Sequence, residues 1–504
     1  MSPIFMLFPS DTLSGSCETK QALNERIHTP ILGVCILSLT LSLAVLTLLV
    51  ALTHAHLPRM RFHVIGVGSI GSLLSYHLRR ALAPQHQISL IVRRVNNQTE
   101  PPPNTPKRIT IECNGLKASL KGFEVEYANP LLEDVYDLLR QKKQAAMQRM
   151  QDLADAAAAN PQDQVPSWIQ QAIGSSPVED RPRATQIDSL FVATKATTVL
   201  RAIEECKDRL HRGTTIVLLQ NGMGIHEAVV DRLFPNPESR PNIIIASTTH
   251  GAWKKAENTT AHHVVHAGIG ALQFGIVADA RMHPRDYERS FWDPPPPPKD
   301  STTIAPPVQL SLDDIESRAE TDNPFSPSPY RTLRATIAAL QSLSDLNTSW
   351  IPMAEMQIVL RQKLVVNSCI NPITALLDCR NGELLTSRHA QALIRAVCKE
   401  AGHVYRKLTT EDDFKFGTRT THGGLDQLSG ARLEDEVHRV ARKTSANYSS
   451  MLIDMRKGGL LEVDYMNGYL GQLGRAYKVP TPTINALKSL VELKASMRTN
   501  TRAV

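Results

Sequence analysis

The segment Arg61–Leu78, RFHVIGVGSIGSLLSYHL, most constrains the fold of this 504-residue chain. The apolar run FHVIGV predicts a buried strand, and SIGSLLSYHLRRAL carries apolar residues at helical spacing. Between them lies a G-x-G-x-x-G turn, whose glycines permit a tight turn, close approach of the backbone to a phosphate, and close helix–strand packing. This order predicts a dinucleotide-binding unit, the alternative being a glycine turn in an unrelated α/β fold. The turn consists of Gly66, Val67, Gly68, Ser69, Ile70 and Gly71.

The end of the second predicted strand, QISLIVRR, bears on the choice of cofactor. A site for NAD usually has Asp or Glu about 20 residues beyond the turn, where it binds the ribose 2′-hydroxyl. This chain instead has Arg93 and Arg94 there. A planar, permanently charged guanidinium suits a 2′-phosphate, so we predict NADP(H). The alternative is that one of these arginines is only a solvated charge at the strand end.

The pattern of strands and helices divides the chain into two domains. Strand signals recur up to residue 278, and helical periodicity dominates from residue 330 to 497. We therefore predict an N-terminal Rossmann-type α/β domain over 61–278 and an all-α C-terminal domain over 330–497. An Ala- and Gln-rich stretch, about 137–186, is predicted to be a surface insertion, and the Pro-rich stretch 279–329 a linker or excursion.

Residues 1–60 form an N-terminal extension whose apolar segment, 31–52, is uncharged. This length is sufficient to cross a bilayer, which takes about 20 residues. Two interpretations stay open: a membrane anchor, or an extension that the mature protein lacks. We therefore expect a cytoplasmic or mitochondrial protein, attached to a membrane if the segment is an anchor.

Charge and cysteine content exclude several classes of protein. The net charge of +7 is scattered along the chain, which argues against a nucleic-acid partner and suits a small anionic substrate. The seven cysteines include no C-x-x-C pair, as expected for reduced thiols. His262, His263 and His266 have no further ligand at a recognisable spacing, so no metal site is predicted.

Several polar residues lie where a ligand is expected. Lys195 and Asn221 each follow a strand-like run, and strand ends are where an open parallel sheet places its ligands. Lys363, Asn367 and Asn371 share one face of an apolar helix. Ser449, Ser450 and Glu462 lie in a similar apolar setting. The alternatives are ordinary surface residues in the first case and a structural polar network between helices in the second.

Seven motifs, in this order, resemble the ketopantoate reductase (2-dehydropantoate 2-reductase) family. They are GVGSIG, ATKA, QNGMG, STTHGAW, KLVVNSCINPITAL, NGEL and SSMLIDM followed by LEVDYMNGYL. The resemblance covers about 61–133, 187–278 and 330–495. The N-terminal segment and both interruptions lie outside it, which suggests an elaborated eukaryotic, fungal-type member.

The resemblance implies NADPH-dependent reduction of 2-dehydropantoate, a 2-oxoacid, to (R)-pantoate on the route to pantothenate and coenzyme A. It implies that Lys363 is the general acid and that Glu462 binds near the substrate hydroxyl and this lysine. Asn367, Asn371 and Ser450 match substrate contacts. Lys195 and Asn221 match residues where the nicotinamide and the substrate meet. A homodimer is a further open expectation.

Two other functions remain alternatives to the one that the resemblance implies. One is a related NADP-dependent reductase for another 2-oxoacid or hydroxyacid. The other is a non-catalytic protein that senses NADP, although a sensor needs the glycine turn and not the polar set around Lys363.

Overall fold

The computed structural model describes residues 60–92, 108–128, 186–255, 261–278, 330–416 and 426–501. Several predicted features lie outside these ranges. They are the apolar segment 31–52, Arg93 and Arg94, the Pro-rich stretch 279–329, and the insertion at 137–186 except for its last residue.

Strands of alternating or continuous apolar residues form two sheets within the described residues. In chain order they are β1 (Arg61–Ile65), β2 (Gln87–Val92), β3 (Arg108–Cys113), β4 (Leu116–Lys121), β5 (Glu124–Tyr127), β6 (Ser189–Val192), β7 (Thr215–Leu218), β8 (Asn242–Thr248), β9 (Gly251–Lys254), β10 (Ala261–Gly268), β11 (Leu272–Ile276) and β12 (Thr348–Trp350).

The larger sheet has the strand order β12-β11-β8-β7-β6-β1-β2-β5. Every neighbouring pair in it is parallel except β8 with β11. The central strands β1, β6 and β7 are almost wholly buried and rich in Val, Ile, Leu and Phe, as expected for a parallel sheet covered on both faces. The smaller sheet, β4-β3-β10-β9, is mixed and packs against the first helix of the described residues, Ser69–Ala81.

The helices of four residues or more within the described ranges follow in chain order. They are α1 (Ser69–Ala81), α2 (Val199–Glu204), α3 (Ile225–Leu233), α4 (Arg331–Gln341), α5 (Met353–Leu377), α6 (Arg388–Phe416), α7 (Gly430–Lys443), α8 (Ser450–Lys457), α9 (Asn467–Ala476) and α10 (Pro482–Thr501), together with a five-residue 3-10 helix at Asn381–Leu385.

Three apolar cores hold these layers together. One joins the larger sheet to α1 and α4, and a second joins the opposite face of that sheet to α2 and α3. The third lies around α5, whose residues pack against α6, α7, α8 and α10. The predicted α/β domain followed by a helical domain is therefore confirmed.

The predicted start of the helical domain at residue 330 is wrong. Helix α4 packs on the α/β sheet through Leu333, Ile337 and Leu340, and strand β12 adds to the sheet edge beside β11. Polar contacts strengthen this packing, since the hydroxyls of Thr332 and Thr215 lie 2.9 Å apart. The helical domain begins with α5, at Met353.

Candidate active site

The glycine turn has the geometry that its sequence predicts. Gly66 has a φ of +90°, and a Cβ atom there would overlap the Thr194 amide nitrogen. A Cβ on Gly71 would overlap the Gly66 carbonyl oxygen. A Cβ on Gly68, in contrast, would meet nothing nearer than 3.9 Å. Gly66 and Gly71 are thus required by the close packing of the backbone, whereas Gly68 leaves open space in front of the helix.

This open space fits the pyrophosphate of a dinucleotide. Helix α1 starts directly after Gly68 with no side-chain cap, so the amides of its first turn remain available to an anion. The buried hydroxyls of Thr194, beside Gly66, and Ser72, in the first turn of α1, have no hydrogen-bond partner among the described residues. Buried polar groups rarely lack a partner, and a phosphate or ribose bound at the turn would supply one for the half-buried Thr194.

The strands next to β1 end at the same edge of the sheet. Ile65 pairs with Val192, and Val192 pairs with Leu218, so the segments after β1, β6 and β7 lie side by side. Lys195 follows β6 and Asn221 follows β7. The structure thus brings both predicted residues to the edge that carries the glycine turn.

Lys363 reaches this edge from the helical domain. It lies on α5, half-buried, and its Nζ donates a hydrogen bond to the carbonyl oxygen of Thr248, the last residue of β8, at 2.9 Å. Burial lowers the pKa of Lys363 to about 8, and the nearby Glu462 carboxylate partly opposes this shift. An ammonium with a pKa near neutrality is well suited to give up a proton.

Glu462 lies at the same boundary and is 7% exposed. Its Oε1 accepts a hydrogen bond from the Ala196 amide, at 2.8 Å, directly after Lys195. Burial raises the pKa of Glu462, while the Ala196 amide and the Lys195 and Lys363 ammonium groups act in the opposite direction. Lys363 and Glu462 are therefore electrostatic neighbours, as the predicted roles require.

The other predicted site residues of the helical domain differ in how deeply they are buried. Helix α5 continues through Pro372, so Asn367 and Asn371 follow Lys363 along it. Asn371 is buried and its Nδ2 donates to the Met466 sulfur at 3.6 Å, while Asn367 is half-buried. Ser450 is exposed at the start of α8. Its role as a substrate contact stays a prediction.

Ser449, rather than Ser450, makes the buried contacts at this helix start. Its Oγ accepts from the Leu452 amide at 3.2 Å, which caps α8, and from the Thr374 hydroxyl at 2.7 Å. The buried serine therefore belongs to the structural polar network that was the alternative for this stretch.

Two residues at the site were missed by the sequence analysis. The side-chain amide of Gln220 donates to the Val192 carbonyl at 2.6 Å and joins the ends of β6 and β7. Gln220 lies next to Asn221 in the same motif, so its position at the end of a predicted strand could have identified it as a site residue. Asp454 pairs with Lys195, with 2.5 Å between Oδ2 and Nζ, and it lies within the SSMLIDM motif, from which the sequence analysis selected only the serines.

A small, open cleft lies between the loop after β7 and helix α5. Gln220 and Met223 line it from the loop, and Gln357 and Leu360 from α5, close before Lys363. The cleft therefore opens close to Lys363 on α5 and to Asn221 on the loop.

The three histidines of β10 have protein partners. Nδ1 of His262 lies 3.2 Å from Nζ of Lys254, His263 lies 2.8 Å from a carboxylate oxygen of Glu112, and Nε2 of His266 lies 3.0 Å from Nδ1 of His250. Across the described ranges, no group of three His, Cys, Asp or Glu residues could hold a metal ion. Within the same ranges, no helix has the length and apolarity that a membrane span requires.

Two family models match the chain. One, described as "Ketopantoate reductase PanE/ApbA", matches residues 133–279, and the other, described as its C-terminal part, matches 355–495. The glycine turn precedes the first matched range.

Curated relatives and solved structures agree with these matches. A probable 2-dehydropantoate 2-reductase from Schizosaccharomyces pombe is 26% identical over 415 residues, 82% of this chain and 89% of the relative. A 2-dehydropantoate 2-reductase from Vibrio cholerae is 26% identical over 305 residues, 60% of this chain and 75% of the relative.

Two solved structures share the fold. A D-mandelate dehydrogenase in a ternary complex with NADH and anilino(oxo)acetate has a TM-score of 0.52 at 16% identity, covering 87% of this chain and 99% of that one. A PanE/ApbA family ketopantoate reductase from Ralstonia eutropha JMP134 has a TM-score of 0.51 at 15% identity, covering 87% and 100%.

Proposed function

The chain belongs to the ketopantoate reductase family, and from that premise we propose that it reduces 2-dehydropantoate to (R)-pantoate with NADPH. One observation carries the proposal. The ammonium of Lys363, with a pKa of about 8, lies at the sheet edge that also carries the glycine turn. A cofactor on the turn and an acid beside it are what the reduction of a carbonyl group needs.

The bound nicotinamide supplies the hydride that adds to C2 of the substrate. Lys363 supplies the proton that the carbonyl oxygen then takes up, which gives the hydroxyl group of the product. Its positive charge also stabilises the negative charge that develops on this oxygen. The hydrogen bond from Nζ to the Thr248 carbonyl uses one of three N–H groups and leaves the others for the substrate.

Glu462 complements Lys363. As a carboxylate it can accept a hydrogen bond from the substrate hydroxyl, and its negative charge favours the protonated form of Lys363. The Ala196 amide fixes its Oε1 and thereby links the acid to the segment that follows β6. Asn367, Asn371 and Ser450 complete the proposed set of substrate contacts.

The form of the cofactor is the finer part of the proposal. Gly66–Gly71 would hold the pyrophosphate, and Lys195 and Asn221 would lie near the nicotinamide. Arg93 and Arg94 follow directly on β2, next to β1, and would bind the 2′-phosphate of NADPH.

The proposal is tested by adding 2-dehydropantoate and NADPH to the purified chain and following NADPH oxidation and the appearance of pantoate. We expect 2-dehydropantoate to give a higher kcat/KM than other 2-oxoacids of similar size. A higher value for another 2-oxoacid would assign the chain to a related reductase. NADPH binding without turnover of any acid in the panel would favour the sensor alternative.

A further inference from the structure

Two adjacent residues of the α/β domain contact a short segment of the helical domain. Lys195 Nζ lies 2.5 Å from Asp454 Oδ2 and donates to the Leu460 carbonyl oxygen at 3.3 Å. The Ala196 amide donates to Glu462, at 2.8 Å. The segment 195–196 is thus held at both of its residues by the segment 454–462.

Asp454 supplies the charged part of this contact. It lies on α8, and its carboxylate meets an ammonium that otherwise donates to a single neutral carbonyl among the described contacts. The Lys195 side chain is 40% exposed and that of Asp454 21% exposed, so the pair adds little to stability. The ion pair therefore matters for position and not for stability, because it holds the flexible Lys195 side chain at the boundary between the domains.

Both members of the pair act on Glu462. The Ala196 amide and the ammonium groups of Lys195 and Lys363 lower the pKa of Glu462. The carboxylate of Asp454 raises it, as burial does. Lys195 has a stronger influence than Asp454. The position of the Lys195 ammonium therefore matters to Glu462 more than the charge of Asp454 does.

We propose that Asp454 is a positioning residue, which holds the Lys195 ammonium at the domain boundary beside Glu462. The proposal rests on the proposed function, because Glu462 is taken to act in turnover as a carboxylate. Asp454 itself touches neither substrate nor cofactor in this account and acts only through Lys195.

The pH dependence of kcat/KM distinguishes this role from a purely electrostatic one. Protonation of Glu462 sets the acidic limb. Lys195→Met removes a positive charge, which raises the pKa of Glu462 and moves the limb to higher pH. If Asp454 holds Lys195, Asp454→Asn releases the ammonium and moves the limb to higher pH as well. In a Lys195→Met background, Asp454→Asn removes only a negative charge and moves the limb to lower pH.

This reversal of sign between the two backgrounds is the expected result. A shift to lower pH in both backgrounds would overturn the proposal, because Asp454 would then act through its charge alone. No shift in either background would overturn it too. At the optimum pH of the unmodified protein, Asp454→Asn should lower kcat/KM by about 1.4- to 5-fold, and Asp454→Glu should restore part of the loss.

Asp378→Asn is the matched control. Asp378 Oδ1 lies 2.8 Å from Nε of Arg456, on the same helix as Asp454, and both partners belong to the helical domain. This variant should leave the acidic limb in place. A limb shift equal to that of Asp454→Asn would show an unspecific effect of removing a carboxylate near α8 and would overturn the proposal.

Thermal unfolding of the unliganded variants supplies a readout that needs no turnover. Asp454→Asn and Lys195→Met should lower the unfolding midpoint less than additively, since each breaks the same ion pair. Absence of turnover in the unmodified protein with this coupling present would instead count against the proposed function.

Discussion

The two domains supply their functional groups in different ways. The α/β domain contributes mainly backbone: the turn at Gly66–Gly71, the Thr248 carbonyl and the Ala196 amide. The helical domain contributes buried or half-buried side chains, Lys363 and Glu462, whose described hydrogen bonds are made to these backbone groups of the other domain. Changes on the α/β side should therefore affect cofactor binding and folding. Changes on the helical side should affect turnover.

Lys363→Met should produce the largest effect and test this division. We expect kcat to fall by about 10²–10⁴-fold, the usual contribution of a positioned general acid. The dissociation constant for NADPH should stay nearly unchanged, since the proposed phosphate contacts lie in the other domain.

Stability should not fall in this variant. Because burial lowers the pKa of Lys363 from 10.5 to about 8, the protonated lysine costs stability, fully below pH 8 and not at all above 10.5. Methionine removes this cost at pH 7.

Lys494→Met is the matched control for this experiment. Lys494 is also half-buried, and its Nζ donates to the Ala375 and Leu376 carbonyls at the end of α5, at 2.9 and 2.5 Å. This variant should lower the melting temperature and leave kcat near normal. If Lys363→Met behaves in the same way, Lys363 is structural.

A pair of glycine substitutions tests the α/β side. Gly71→Ala should destabilise the fold by about 1–3 kcal/mol, because its Cβ would overlap the Gly66 carbonyl. Gly68→Ala should fold normally and raise the dissociation constant for NADPH by about tenfold, since its Cβ enters the open space before α1. Thermal unfolding and NADPH titration separate the two effects. Equal losses of stability would contradict the assignment of Gly68 to the cofactor.

The sequence correctly predicted those features of the fold that depend on short stretches of neighbouring residues. The glycine turn, the strand ends at Lys195 and Asn221, and the position of Lys363 on α5 all follow from short motifs. Contacts between distant segments left no such signal. Asp454 lies within the SSMLIDM motif, but the motif does not show that the fold brings this residue to Lys195, 259 positions away in the sequence.

The predicted position of the domain boundary was wrong for a related reason. Helix α4 has the same period as the helices of the other domain, and only its packing on the sheet shows where it belongs. Thr336, for example, lies 2.5 Å from the Ser189 hydroxyl of β6, a contact between polar residues that hydrophobic periodicity does not reveal.

The preference for one cofactor should be a smaller effect than the loss of turnover in Lys363→Met. The unmodified protein should prefer NADPH to NADH by at least about tenfold in kcat/KM, or about 1.4 kcal/mol. Replacing both Arg93 and Arg94 with Ala should weaken NADPH and leave NADH almost unaffected. Equal use of the two cofactors by the unmodified protein would contradict the proposal that these arginines bind the 2′-phosphate.

The smallest effect is expected for a chain that begins at Met60. Met60 is 5% exposed in the first core and β1 begins at the next residue, so the shortened chain should keep the fold. Its kcat should equal that of the full chain. Carbonate extraction of membranes from cells that express the full chain then reports whether residues 31–52 anchor it. An inactive shortened chain would show that residues 1–59 contribute to the site.

The pH dependence of kcat/KM in the unmodified protein tests the central claim, proton donation by Lys363 across the domain boundary, most directly. The account predicts that activity declines on the alkaline side with an apparent pKa near 8, as Lys363 loses its proton. The residual activity of Lys363→Met should lack this decline. An alkaline limb that persists unchanged in Lys363→Met would contradict the account, because another group would then deliver the proton.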